Sequence, residues 1–461
     1  MHVKRYMVAR APGGYGRGMN LHAELVRRAE RGAPVRVGLI GAGKFGTMFL
    51  AAARTTPGLH VAAIADLAPD RVRDALARTG WPTAATEAPS LTAALADGTM
   101  HVGDDAEALI AAPGMEVVIE ATGSPSAGIR HALLCAEHGR DVVMVTVEAD
   151  VLAGPLLAQR VQDAGGVYAL AYGDQPALIC ELVDWARTAG LEVVCAGKGT
   201  KYLPAYHAST PDTVWQHYDF SPEEAARLNA QLFNSFVDGT KSAIEMAAVA
   251  NATGLAPAPD GLGFPPAGVS RLAEVLRPRA AGGVLAASGT VEVVSSLERD
   301  GSPIPDDLRQ GVYVVVEAPS DYVAQCWAEY GVRTDASGRY SALHRPYHYI
   351  GLELGISVAA AAVRREATGA PAGFHADVVA TAKRPLAPGD VLDGEGGRAV
   401  WGRLVPARDS LAAGLLPIGL AGGVTVTRPV AEGAPVARAD VELDASQTAV
   451  RVRDELEAAV R

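Results

Sequence analysis

At 461 residues the chain exceeds one ordinary core, since domains cluster at roughly 100–200 residues, and two or three domains are expected. Apolar residues make up 49% and charged residues 20%, a globular composition that excludes disordered and fibrous classes. The formal net charge of -11 and pI near 5.5 repel phosphate backbones and anionic bilayers, which excludes nucleic-acid and membrane partners and leaves a small molecule.

Residues 1–34 read as an arm over 1–18 and a short helix over 21–29. Lys4 and Arg5 are followed by no apolar run of about 7–15 residues, so no secretion signal is expected and the cytoplasm is the expected location. Cys135, Cys180, Cys195 and Cys326 are scattered, with no CxxC pair, and read as reduced core residues. No metal is expected. The apolar stretches 356–363 and 415–426 fall short of the about 20 residues that a bilayer demands.

From residue 35 to 171, short apolar runs at 35–40, 60–65, 115–120, 141–147 and 166–171 alternate with helical stretches such as 45–54. Near-continuous apolar runs are the mark of parallel strands covered on both faces, so this segment is expected to be a doubly wound α/β domain of Rossmann type. Gly41-Ala42-Gly43-Lys44-Phe45-Gly46 matches GxGxxG directly after the first run, and the second run ends in Asp66, 20 residues past Gly46. Glycines there allow a tight turn and close approach of a pyrophosphate to N–H groups at a helix N-terminus, while Asp66 accepts from the adenosine ribose. Asp66 favours NAD, whereas Arg71 and Arg73 just beyond it are placed to neutralise a 2′-phosphate, so NAD or NADP is expected. Two further strand ends, Thr122-Gly123-Ser124 after Glu120 and the segment from Thr146 through Glu148 to Asp150, are expected to face the nicotinamide, with Glu148 binding substrate, or else to cap the next helices.

Residues 172–375 change rhythm. A helix over 177–188 leads to a strand over 192–196, then a loop, Gly197-Lys198-Gly199-Thr200-Lys201-Tyr202, in which Lys198 and Lys201 are either anion ligands or a basic surface turn. A long helical pattern over 222–253 places Asp238, Lys241 and Glu245 on one face, as a proton-handling group or as a solvated salt-bridge stripe. Asp174 starts a helix, as ligand or as cap. Strands are expected over 289–297 and 311–317, and the polar loop 333–346 leads to a cluster of planar donors, His344, Arg345 and His348, suited to a carboxylate or phosphate or else packed under a β domain that closes the chain. That domain is read over residues 376–461, small and mostly β, with turns at 388–390, 395–397 and 432–433.

Residues 37–46, 145–150, 172–176, 199–202, 238–241 and 345–351 together resemble the homoserine-dehydrogenase-like oxidoreductases that carry a C-terminal SAF-type domain, a group that includes the second, divergent type of 1-deoxy-D-xylulose 5-phosphate reductoisomerase. The resemblance runs from Met19 onward and does not fix the substrate. It implies a Rossmann domain, a central α+β catalytic and oligomerisation domain and a terminal β-clip domain beginning near Ala376, and with them a homo-oligomer. It also makes Lys241 the counterpart of the catalytic lysine of homoserine dehydrogenases. The aspartate that family places four residues earlier is Val237 here, with Asp238 next to it, and its Asn-Lys pair is replaced by Val147-Glu148, which weighs against homoserine itself.

The expected activity is reversible hydride transfer between a nicotinamide and a small polar carbonyl or polyol bearing a phosphate or carboxylate, with skeletal isomerisation as an optional coupled step. In that scheme Lys241 handles the proton, Asp238 orients it, and Lys198, Lys201 and Arg345 hold the anion. Two rivals stand beside it: an isomerase, epimerase or lyase that recycles its nucleotide internally, and a non-catalytic sensor of dinucleotide and sugar acid.

Overall fold

The computed structural model describes residues 20–460; the arm expected over 1–18 lies outside them. Six strands, β1 (Val35–Ile40), β2 (Leu59–Ala65), β3 (His101–Gly103), β4 (Val117–Glu120), β5 (Asp141–Met144) and β6 (Tyr168–Leu170), form one parallel sheet in the order β3-β2-β1-β4-β5-β6. Burial at every position of β4 and β5 explains their unbroken apolar character. Chain order reverses between β1 and β4, and the crevice outside the carboxyl ends of the strands at such a switch point is where doubly wound sheets bind ligands. The short edge strand β3 went unseen in the sequence because three residues carry no periodicity. Residue 147, expected in a strand, instead opens a helix.

Four more strands, β7 (Glu192–Thr200), β8 (Thr290–Ser295), β9 (Val312–Glu317) and β10 (Tyr340–Arg345), make a mixed sheet in the order β10-β9-β7-β8. The segment expected as a loop around Lys198 is therefore strand. Gly197 and Gly199 are there because backbone presses on them: a Cβ at these positions would lie 1.7 Å from Glu292 O and 2.0 Å from Leu308 O. The polar stretch expected as loop contains β10, an edge strand whose last residues are mostly solvated.

Seven helices matter for the site: α1 (Lys44–Ala53), α2 (Pro125–Glu137), α3 (Val147–Asp163), α4 (Gln175–Thr188), α5 (Ala230–Val237), α6 (Thr240–Thr253) and α7 (Thr448–Val460). The helical pattern expected to run unbroken over 222–253 is broken, because Gly239 takes a φ of +90° and the Asp238 carboxylate accepts from Thr240 N at 2.9 Å, which starts α6 afresh. Helix α6 is buried at almost every position, packed between α3, α4 and the C-terminal strands.

Those strands are β11 (Ala376–Ala382), β12 (Val391–Asp393), β13 (Val400–Pro406), β14 (Gly422–Val426) and β15 (Val441–Glu442), arranged as an antiparallel β11–β13 pair and a β12-β14-β15 sheet. Buried polar groups fasten this segment to the rest. Arg453 in α7 donates to Asp377 Oδ2 at 2.6 Å and to Leu152 O at 3.2 Å, and Asn251 pairs with the backbone of His375 and Ala376. Among the described residues no helix is long and apolar enough to cross a membrane.

Candidate active site

The nucleotide end of the site follows from the glycine loop. Gly41 holds a φ of +89°, and a Cβ there would lie 2.5 Å from Ala121 O; at Gly46 it would lie 2.5 Å from Gly41 O. Both are steric requirements of the turn. Gly43 differs: its Cβ position faces open space, and no side chain caps the start of α1. Free N–H groups beside an open approach are what a pyrophosphate needs.

Asp66 lies at the end of β2, accepting from Ala42 N at 2.8 Å and Ala68 N at 2.9 Å, so it also braces the glycine loop. A cleft of about 360 Å³ beside it is lined by Gly43, Lys44, Thr47, Arg71, Asp74 and Arg78. Arg78, one helical turn beyond Asp74, was not singled out in the sequence. Across the switch point, Thr122 donates to Glu120 Oε1 at 2.6 Å, Gly123 N donates to Thr146 Oγ1 at 3.0 Å, and Ser124 caps α2 by accepting from Ala127 N at 3.4 Å. These bonds fix the β4 loop at the crevice. Asp150 does not face it: the side chain is fully buried in α3, where Tyr168 Oη donates to its Oδ1 at 2.9 Å.

Beyond the glycine loop lies a cavity of about 270 Å³. Phe45, Val145 and Ile350 line it from the nucleotide side; Asp174, Gln175, Lys198, Lys201, Lys241, Glu245, Arg309 and His348 line it from the other. Lys198, on β7, ion-pairs with Glu245 of α6 and donates to Gln175 Oε1 at 2.9 Å. Lys241, at the start of α6, ion-pairs with Glu148 of α3. Burial alone would pull the Lys241 ammonium down, but the surrounding carboxylates of Glu148, Glu395, Glu245 and Asp174 together hold it above the ordinary lysine value. Asp174 is pushed up to about 6 by burial and by the charge of Glu245, offset in part by Lys241 and His348. Among the described residues Lys201 donates only to a carbonyl, His217 O, at 2.8 Å, and burial with Arg309 nearby lowers its pKa.

Several expected roles change. Asp238 does not orient Lys241: it is completely buried against Lys383, whose Nζ donates to Asp238 Oδ2 at 2.7 Å, because the break at Gly239 turns it toward β11. Glu148, expected to hold substrate, lies outside the cavity and is bound to Lys241. Arg345, expected to hold the anion, is ion-paired with Glu353, and His344 sits exposed on the edge strand β10; neither lines the cavity. His348 does, with Nδ1 donating to Gln310 O at 2.8 Å. Of the acids expected at strand ends, Glu148 and Asp150 lie in α3, where Glu148 pairs with Lys241 and Asp150 with Tyr168, while Asp174 lines the cavity wall.

Comparison with known proteins agrees with the two halves of this site. Residues 35–145 match the family model described as oxidoreductase family, NAD-binding Rossmann fold, and residues 173–354 match that described as oxidoreductase DRL, catalytic domain. The chain is thus an NAD(P)-binding oxidoreductase, with an α/β fold built on a Rossmann sheet. No curated protein matches it. Solved structures similar to it include a probable dehydrogenase from Thermotoga maritima, 14% identical over 68% of this chain and 69% of that one with a TM-score of 0.30. A putative myo-inositol dehydrogenase from Sinorhizobium meliloti is 14% identical over 68% and 70%, TM-score 0.31. The 1-deoxy-D-xylulose 5-phosphate reductoisomerase from Zymomonas mobilis, in complex with NADPH, is 20% identical over 45% of this chain and 57% of its own length, TM-score 0.29.

Proposed function

We propose that this chain transfers hydride between a nicotinamide and a carbinol or carbonyl carbon of a small substrate bearing a phosphate or carboxylate. The observation that carries the reading is the shared cavity, in which Phe45 and Val145 at the nucleotide end face Lys241 and a basic wall at the other. The glycine loop fits the nucleotide by the open approach at Gly43, with Asp66 at the ribose and Lys44, Arg71 and Arg78 where a 2′-phosphate would lie. When bound, the nucleotide supplies or takes up the hydride.

The chain's own residues do the rest. Lys241, kept protonated by its carboxylates, donates to the substrate oxygen, polarises the carbonyl and gives up a proton as the alcohol forms. Glu148 replaces Asp238 as the group that aims it. Lys201 and Arg309 take over the anion from Arg345, since neither forms an ion pair among the described residues while both line the cavity. Lys198 is spoken for by Glu245 and Gln175 and stiffens the wall. Residues 376–461 keep the SAF-type reading and the chain the homo-oligomeric one; both rest on the sequence resemblance.

The test is Lys241→Ala with NADH and NADPH against a panel of sugar phosphates, tetronates, pentonates and amino-acid-derived carbonyls, followed by nicotinamide absorbance. Turnover is expected to fall by roughly 10²–10⁴-fold, the scale of a lost proton-transfer group, with nucleotide affinity unchanged. Equal turnover would remove Lys241 from the mechanism. A compound consumed without net change in nicotinamide absorbance would instead favour internal recycling of the nucleotide.

A further inference from the structure

One carboxyl reaches this site from the far end of the chain. Glu395 lies in the turn between β12 and β13, and the turn is pinned against α5: Gln231 Nε2 donates to Asp393 O at 2.8 Å and Glu395 O at 2.9 Å, and Asn234 Nδ2 donates to Gly396 O at 2.9 Å. Lys383 Nζ donates to Gly397 O at 2.7 Å from the other side. With its backbone held this firmly, the Glu395 side chain has little freedom, and it shares with Glu148 a cavity of about 10 Å³ between α3, α6 and β11. That volume is at the lower limit for one water, about 10–15 Å³.

Oε1 of Glu395 is sealed from solvent and has no hydrogen-bond partner among the described residues. A shielded carboxylate oxygen without a donor is costly, and protonation relieves the cost. The charged groups around it sort into closed pairs. Asp377 is neutralised by Arg453; the Glu148–Lys241 pair is the strongest influence, with Ser235 and, paired to Lys383, Asp238 acting more weakly. Burial, the Glu148 charge and, less, the Asp238 charge push the Glu395 carboxyl up to about 8, against the opposing pull of Lys241 and a hydrogen bond with the Ser235 side chain.

We propose that Glu395 is the proton store of the active site, passing its proton through one water in the shared cavity to Glu148, and so to Lys241 once that lysine has protonated a substrate oxygen. This rests on the hydride-transfer reading above. In the reductive direction the carbonyl gains a hydride from NADH or NADPH and a proton from Lys241, leaving the neutral amine. Glu395 gives its proton to the water, the water passes one to the Glu148 carboxylate and Glu148 passes it to the amine; Glu395 ends as a carboxylate and regains a proton before the next turnover. Oxidation of an alcohol runs the same proton outward. Glu395 never meets substrate; it is a positioning residue that acts through Glu148.

The first test uses neither nucleotide nor substrate. Infrared difference spectra of the full chain are recorded on either side of about pH 8 for the wild type, Glu395→Gln and Glu395→Asp, with melting curves to confirm folding. The wild type is expected to lose the C=O stretch of one protonated carboxyl with a midpoint near 8; that component is absent from the Gln variant and displaced in the Asp variant. Spectra identical in wild type and Glu395→Gln overturn the proposal, and should the Gln variant fail to fold, an undisplaced component in Glu395→Asp does the same. The second test is the pH profile of reduction with whichever compound of the panel turns over. Wild-type kcat falls above about pH 8; in Glu395→Gln kcat is about 10-fold lower, as for a lost proton relay, its KM is unchanged and that fall is gone. A wild-type profile retained in the Gln variant sinks the relay. If the infrared component is assigned to Glu395 but no nicotinamide nucleotide binds, the hydride-transfer reading has failed rather than the placement of the proton.

Discussion

Replacing Lys383 tests whether Asp238 belongs to the framework or to the chemistry. Lys383→Met keeps the aliphatic stem but removes the ammonium that donates to Asp238 Oδ2 at 2.7 Å, Ser209 O at 2.6 Å and Gly397 O at 2.7 Å. Asp238 would then be left completely buried with one long bond from Asn234 Nδ2, 3.4 Å, and the Thr240 N–H as its donors among the described residues. Breaking a buried pair by removing one partner costs about 3–5 kcal/mol, because a charge is stranded, and whole-protein stabilities are only about 5–15 kcal/mol. The loss should therefore dominate the unfolding curve. Adding Asp238→Asn removes the stranded charge, so the double variant should be more stable than the sum of the two single losses predicts. Urea unfolding followed by circular dichroism and tryptophan fluorescence measures all three. A Lys383→Met protein within about 0.5 kcal/mol of wild type, the ordinary range for an inconsequential surface change, would refute the argument. So would strict additivity in the double variant.

Other outcomes rest on the same geometry. Arg309→Ala and Lys201→Ala should each raise KM for the anionic substrate by about 10-fold or more, the value of one hydrogen bond to a charged group, while kcat changes less; a loss confined to kcat would place them in the chemistry instead. Asp150, lifted to about 7 by burial, penalises the fold only when ionised. The penalty is absent below the ordinary carboxyl value near 4, grows as pH rises and is complete above 7. Asp150→Asn should accordingly stabilise the protein above pH 7, by a margin that vanishes as the solution is acidified; urea midpoints across that range check it, and a margin independent of pH contradicts it.

The nucleotide half of the site was legible in sequence because its determinants are local. A buried strand, a glycine turn and a helix start occupy adjacent residues, and the steric demands on Gly41 and Gly46 leave no other residue type possible. The substrate half was legible only in part. Lys241 and Glu245 lie four apart on α6, but their partners Glu148 and Lys198 come from α3 and β7, and nothing local says which lysine meets which acid. Reading Asp238 onto the same face failed on one backbone angle, the positive φ of Gly239. Gly197 and Gly199 read as loop residues, since glycine weakens strands; what places them in β7 is the pressure of distant carbonyls, which no local pattern carries. Arg309 and Glu395 sit in turns that look like ordinary connections until the chain folds back on itself.

The most direct test of the account is calorimetric titration of the wild type and of Gly43→Val with NADH and NADPH. Position 43 has extended backbone and open space where a side chain would project, so valine should leave the melting temperature unchanged while filling the volume a pyrophosphate needs. Saturable binding by the wild type, weakened by at least about 10-fold (~1.4 kcal/mol) in the variant, is the predicted result. Wild-type protein that binds neither nucleotide, or a variant that binds as tightly as wild type, would contradict it.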